Sequence, residues 1–469
     1  MSSSLQSIGS WIGHNLLYSE VLESDQRLPC LTFTIANGTY GLLAPSLQFW
    51  LALGTCLVLG AIYSSILSCV MYKFIILPRK LHSQSSSSKS NEYHSTSTSL
   101  LIGFGVIMPL CVIYPYYGIH FLLIKNKVIK FLFGIASLTT AFRCSEAVFG
   151  FLPTHVDDSL WNVIVYNAFP VECKFDKLGA IPSTWANVGY YVRNFGVSCT
   201  ALGLYCSFLV MSDYKLYPTE EGPKLGDVSL YNALNWHQLA NNFSIAILFQ
   251  IYLTTFSYAI NAVTSLVGLT QIPMMLNPIF ESTSLSDFWL AQSDALNPIP
   301  ILHFFVFRIA LSLSTANGIY RGRRWNLVVH GFLKRGVYKP VRTKYSRLAA
   351  ATAAFLASGF FHEWLLSVVL YPDYDSVGED CAPPACFQPG YGRNTLFFVW
   401  NAGLIGIEYA LSGAAIFKLL KKHLPPVIIS LLVTSTALPV AHWFTNDYVR
   451  TDFFHDGQLG WPIIIRLDE

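Results

Sequence analysis

The chain has 469 residues, 53 % of them hydrophobic and only 12 % charged, with 30 basic and 27 acidic side chains and a net charge of +3. A soluble fold carries about twice that share of charge, so an ordinary soluble enzyme is excluded, as are disordered and collagen-like chains. The near-neutral balance also excludes the basic surface of a nucleic-acid binder. What remains is a polytopic, all-α membrane protein. Ten cysteines, with no CxxC pair and no Cys/His cluster at zinc spacing, point to neither a metal site nor a disulfide scaffold.

Residues 1–45 form an N-terminal segment without the basic start and apolar core of a cleaved signal peptide. From 46 to 274 apolar runs long enough to cross about 30 Å of hydrocarbon recur. Spans are read at 46–77, 100–124, 190–212 and 240–268, and later at 348–371, 395–417 and 425–444; weaker candidates lie at 29–45 and 128–142. The expectation is about eight spans. A Ser/Thr-rich segment at 82–99, flanked by Arg79 and Lys80, reads as a polar loop. Lys125, Lys127 and Lys130 would face the wrong side if 46–77 and 100–124 both span, so a helix there is miscounted or re-entrant. Asn235, His237, Asn241 and Asn242 begin a span, where capping and interhelical hydrogen bonds are their expected roles.

Between Gly322 and Arg347 lie Arg323, Arg324, Lys334, Arg335, Lys339, Arg342, Lys344 and Arg347, with no acid among them. The positive-inside rule puts this stretch in the cytosol and the acidic loop with Asp373, Asp375, Glu379 and Asp380 in the lumen. Cys381 and Cys386 in that loop could then pair as a small disulfide. Trp325, Val328, Val329, Phe332 and Leu333 make one apolar stripe at helical spacing, with the basic residues opposite. This amphipathic helix is either a membrane-surface anchor or a docking face for an anionic cosubstrate such as the phosphates of coenzyme A.

The next span, 348–371, holds Ser358-Gly359-Phe360-Phe361-His362-Glu363-Trp364. His362 follows Arg347 by 15 residues and precedes Asp373 by 11. That is roughly 22 Å and 16 Å along a helix, which places the ring near the bilayer midplane. Ionisable groups there are costly and mark function. The small residues Ala349, Ala350, Ala351, Ala353, Ala354, Ala357 and Gly359 allow close helix contact and turn His362 inward. A structural hydrogen bond to a neighbouring helix and a proton-relay transporter using His362, Glu363 and Glu408 are the competing readings. A zinc site is disfavoured because position 366 is Leu where a second histidine is needed. His442, near the end of the last span, reads as interfacial.

Arg323-Arg324-Trp325-Asn326, an amphipathic helix ending in Val337-Tyr338, and then the His362 helix together resemble the membrane-bound O-acyltransferase superfamily, most closely its wax-synthase branch. Ser284-Leu285-Ser286-Asp287-Phe288-Trp289, Asn277-Pro278-Ile279-Phe280, and upstream Phe142-Arg143, Glu146-Ala147 and Phe149-Gly150-Phe151 are in the same style. The strong resemblance covers 275–371, about a fifth of the chain. It implies an all-α bundle with an internal catalytic tunnel, in the endoplasmic reticulum membrane. It implies transfer of a fatty acyl group from acyl-CoA, a cosubstrate with no bound cofactor or metal, to a lipid alcohol. A long-chain fatty alcohol giving a wax ester is the first expectation; a sterol or a diacylglycerol are the alternatives. His362 matches the catalytic histidine and Asn326 the polar residue paired with it. Trp325, Arg323, Arg324 and Glu363 are the expected substrate-binding set, although Glu363 lies about 100° round the helix from His362 and is better suited to packing.

One departure interrupts the pattern. Joining Trp289 to Gly322 restores the family-like run, so Leu290–Arg321 are 32 additional residues. They are either a translated intron or an insertion packed over the tunnel mouth, and the spliced transcript decides between the two. Residues 275–371 are thus the expected catalytic region, and 372–469 the C-terminal helices and tail.

Overall fold

The computed structural model describes residues 3–18, 27–35, 38–85, 97–211, 235–272, 326–371, 390–411, 423–451 and 453–467, with the single positions 274, 282, 284 and 285. Among them six helices are long and apolar enough to cross a membrane: Leu47–Leu81, Ser97–Phe121, Lys127–Phe149, Trp236–Leu266, Arg347–Leu370 and Val427–Val449. The spans expected at 190–212 and 395–417 are present as the helices Trp185–Met211 and Arg393–Leu411, but they fall outside that set.

Local chemistry fixes where these helices begin. The first backbone N–H groups of a helix have no partner within it, so a polar side chain just ahead supplies one. Ser46 accepts from Phe49 N–H at 3.2 Å, and Asn126 from Val128 and Ile129 at 3.1 and 3.2 Å. Asn235 accepts from His237 N–H at 2.9 Å and Ser346 from Ala349 at 3.1 Å. Gly150, at φ 75°, ends the Lys127–Phe149 helix in the left-handed conformation that glycine adopts without strain. Asn242, as expected, bonds between helices, its Nδ2 donating to Leu438 O at 2.6 Å.

Two sequence expectations change. Residues 29–45 are not a span. Pro29–Ile35 (β1) and Gly38–Leu43 (β2) form an antiparallel hairpin, and Ile463–Arg466 (β5) completes a three-stranded sheet in the order β1-β2-β5. Leu31, Phe33 and Ile35 alternate with Thr32 and Thr34, a period of two that a hydropathy window cannot distinguish from a short span. Between β2 and β5 two short strands, Phe175–Asp176 (β3) and Gly179–Ala180 (β4), make a minor ladder. Conversely, the weak candidate at 128–142 is a full span, Lys127–Phe149, and its apolar window is the most deeply buried of the six.

That span leaves the two basic groups at opposite ends of the bundle, so the conflict in the lysines stands. Lys127 sits at one end of the bundle, where its backbone N–H donates to Asp456 at 2.6 Å and its ammonium lies 3.9 Å from the same carboxylate. Arg79 and Lys80 sit at the other end, 3.8 and 3.9 Å from Asp157. His442 also departs from expectation. It is 5 % exposed and shares a hydrogen bond of 3.0 Å with Gln238 Nε2, so it belongs to the interior rather than to an interface.

Candidate active site

The long helices line a cavity of about 200 Å³. Its wall is apolar almost throughout, built from Lys127–Phe149, Trp236–Leu266, the start of the 327–344 helical segment, Arg347–Leu370 and the 433–453 region. His362 and Asn326, 36 residues apart in sequence, both line it.

The helix itself orients His362. Its Nδ1 lies 2.7 Å from the carbonyl oxygen of Ser358, one turn earlier. A carbonyl only accepts, so Nδ1 carries the proton, and in the neutral ring Nε2 is the acceptor. Aromatic rings hold the imidazole in place. Phe398 stacks on it at 4.7 Å and 25°, while Phe361 and Phe444 meet it edge-on at 4.3 and 5.1 Å. Phe398 comes from the Arg393–Leu411 helix, whose approach depends on Gly359. A Cβ there would lie 2.7 Å from the Thr395 Cα. Gly359→Ala therefore pushes that helix away and loosens the ring stack on His362. The expected result is an activity loss of roughly tenfold or more with little change in protein yield, measured in membranes.

Asn326 is placed by a different device. It is the N-cap of the short helix Leu327–Leu333, its Oδ1 accepting from Val329 N–H at 3.1 Å, with its backbone at φ 32°. Asparagine is among the few residues that tolerate this conformation. Since Oδ1 serves the cap, Nδ2 is the donor of this side chain. Asn326→Gly keeps the backbone conformation and removes the donors. The expectation is strong loss of turnover at nearly parental thermal stability, and equal turnover would discount the donor role.

Glu363, expected with the substrate-binding set, does not line the cavity. Its Oε1 accepts from the Thr395 N–H at 3.1 Å, so it caps the first turn of Arg393–Leu411. The 100° step from His362 is the reason. Arg323, Arg324 and Trp325, with Leu290–Arg321, the acidic loop and its cysteine pair, lie outside the described residues.

The 327–344 segment is amphipathic as read, with a different destination for its faces. Val328, Val329 and Phe332 line the cavity. Arg335 turns into the protein instead of toward an incoming anion. It donates to Glu146 Oε1 at 3.1 Å, to Glu172 Oε2 at 2.6 Å and to the Tyr166 hydroxyl at 3.1 Å. Burial opposes its charge, but Tyr166, Glu146 and Glu172 outweigh that and push the guanidinium pKa up. Burial and Glu146 likewise raise the Tyr166 phenol well above its usual range, so its hydroxyl stays a donor, reaching Glu146 Oε2 at 2.7 Å. Arg143, fully buried, donates to the carbonyls of Phe169 and Val171 and lies over the Tyr166 and Phe332 rings at 4.4 and 5.1 Å. This network anchors Phe332, which stacks on Phe142 at 6.2 Å and 6°, and Phe142 in turn meets Phe361 beside His362. The sequence carried one signal for it: Arg143 and Glu146, two charges three residues apart inside an apolar span.

Residues 315–372 match the membrane-bound O-acyltransferase family. Over 52 residues the chain is 50 % identical to a diacylglycerol O-acyltransferase 1 of Bos taurus, covering 11 % of each chain. It is 48 % identical to the Homo sapiens protein of the same name over 52 residues, again 11 % of each. Over 114 residues it is 31 % identical to a probable long-chain-alcohol O-fatty-acyltransferase 9 of Arabidopsis thaliana, covering 23 % of this chain and 29 % of the relative. The matched stretches thus span between 11 and 29 % of these relatives' own lengths. The resemblance read from the motifs is matched in this much: the family's model covers 315–372, a stretch that includes His362, and a probable long-chain-alcohol O-fatty-acyltransferase is among the similar proteins.

Proposed function

We propose that this protein is a multi-pass membrane O-acyltransferase that moves a fatty acyl group from acyl-CoA to the hydroxyl of a lipid alcohol. The observation that carries the reading is a buried imidazole with Nε2 as acceptor lining an apolar cavity that Asn326 also lines. An alcohol is a weak nucleophile at neutral pH, and a general base within hydrogen-bond reach removes that barrier. Nε2 of His362 takes the hydroxyl proton as the oxygen attacks the thioester carbonyl carbon. The carbonyl oxygen gathers charge, which the Asn326 amide N–H groups are suited to stabilise. The intermediate collapses with cleavage of the C–S bond, and the imidazolium returns its proton to the departing thiolate. Both substrates meet at one histidine, so no acyl-enzyme is needed.

The apolar wall suits two long hydrocarbon chains, and the alcohol-acyltransferase relative favours a long-chain fatty alcohol as acceptor and a wax ester as product. Diacylglycerol is the second reading, favoured by the 50 % identity over 52 residues to a diacylglycerol O-acyltransferase 1. The endoplasmic reticulum membrane is the proposed location. His362, Asn326, Arg323, Arg324 and Trp325 are the residues proposed to act on the substrates. Microsomes containing the protein, given labelled acyl-CoA with a fatty alcohol, a sterol or a diacylglycerol, test this. Labelled ester with one acceptor is the expected result, and no ester with any of them would overturn it.

A further inference from the structure

A smaller chamber of about 20 Å³ adjoins the main cavity, between the Leu47–Leu81 and Lys127–Phe149 helices and the Leu160–Ala168 helix. Leu132, Ile135, Thr139 and Pro170 line both spaces. Thr139 lies one helical turn before Phe142, whose ring meets Phe361 next to His362. The two spaces therefore share one stretch of the Lys127–Phe149 helix.

Its hydrogen bonds can be counted. Asn167 is 3 % exposed, and its Nδ2 donates to Val163 O at 2.8 Å, which fixes the amide with its oxygen on the other side. That Oδ1 is buried with no hydrogen-bond partner. Thr139 spends its hydroxyl hydrogen on Ile135 O at 2.6 Å. Thr140 spends its own on Ala136 O at 3.0 Å, so in the 2.8 Å pair Ser64 is the donor to Thr140. The side-chain oxygens that line the chamber, Asn167 Oδ1, Thr139 Oγ1 and Ser64 Oγ, are thus left as acceptors. A buried acceptor without a donor is costly, and this chamber has room for a group the size of a hydroxyl.

We propose that this chamber is a hydroxyl subsite of the acceptor, and that among long-chain alcohols the protein prefers one carrying a second, free hydroxyl. One hydroxyl reacts at His362 while the other donates to Asn167 Oδ1. A site built to accept a hydrogen bond discriminates against an analogue that lacks the donor. This rests on the acyl-transfer reading and names the acceptor class for it.

The test compares ester formation in membranes from a long-chain primary alcohol with that from matched diols whose second hydroxyl lies at increasing distance along the chain. The expected result is that one diol exceeds the simple alcohol in kcat/KM by about tenfold, the worth of one hydrogen bond to a buried acceptor. Asn167→Leu, of similar shape but without the acceptor, brings that ratio close to one, and Thr139→Val lowers it. Equal rates for alcohol and all diols in the parent protein would overturn the proposal while leaving acyl transfer standing. So would a preference that survives in both variants, since the chamber would then hold only water. If Asn167→Leu does not accumulate, the parent ratio and Thr139→Val still decide. No ester from any acceptor overturns this proposal together with the acyl-transfer reading.

Discussion

Replacing His362 with alanine lowers ester formation by about a hundredfold to ten-thousandfold, the usual contribution of a general base. The protein should still accumulate and keep its fold. The imidazole's hydrogen bond is to its own helix, at Ser358 O, so its removal leaves no buried group of another helix unpaired. His362→Gln separates base from shape, since it fills the space between Phe398 and Phe444 without a basic nitrogen. It is expected to be as inactive as alanine. The measurement is initial rate per amount of folded protein in membranes, and undiminished turnover in His362→Ala would remove the mechanism.

The second large effect is on stability. Arg335→Met strands two carboxylates, Glu146 at 0 % and Glu172 at 9 % side-chain exposure. Removing one partner of a buried ion pair costs about 3–5 kcal/mol, because the charge left behind has neither water nor a counter-ion. The expected result is a marked fall in the thermal midpoint of the detergent-solubilised protein. Combining Arg335→Met with Glu146→Gln and Glu172→Gln should recover most of the loss, since the buried charges leave together. A single variant as stable as the parent would mean that the network contributes little. Activity should fall with the single variant too, because Phe332 and Phe142 carry the network's position toward Phe361 and His362.

His362 was legible from the sequence because an ionisable group in an apolar helix has few bland explanations. The helix starts were legible as well, since Asn235 and Asn242 do what their positions suggest. Glu363 facing away from the histidine followed from the helical angle alone. Other parts had no local signal. Phe398 and Phe444 reach the imidazole from separate helices, and nothing in their own segments marks them. Lys127–Phe149 was undervalued because Lys130, Arg143 and Glu146 lower its hydropathy. The terminal nitrogens of Arg143 and the carboxylate of Glu146 find partners inside the protein at Phe169, Val171, Tyr166 and Arg335, which no window on the span could see. The 29–43 hairpin was mistaken for a weak span because its third strand lies more than 400 residues downstream.

That distant strand sets the order in which the molecule can be finished. Leu43 pairs with Ile463 and Tyr40 with Arg466, and Trp461, just before β5, packs fully buried against Tyr252 and Phe256. During synthesis β2 therefore presents an unpaired edge until nearly every helix has been made. Contacts so far apart in sequence form late, and an open edge is a template for the wrong strand. A chain stopped before residue 463 should reach the membrane with its helices inserted but its sheet open, and quality-control machinery would meet it in that state.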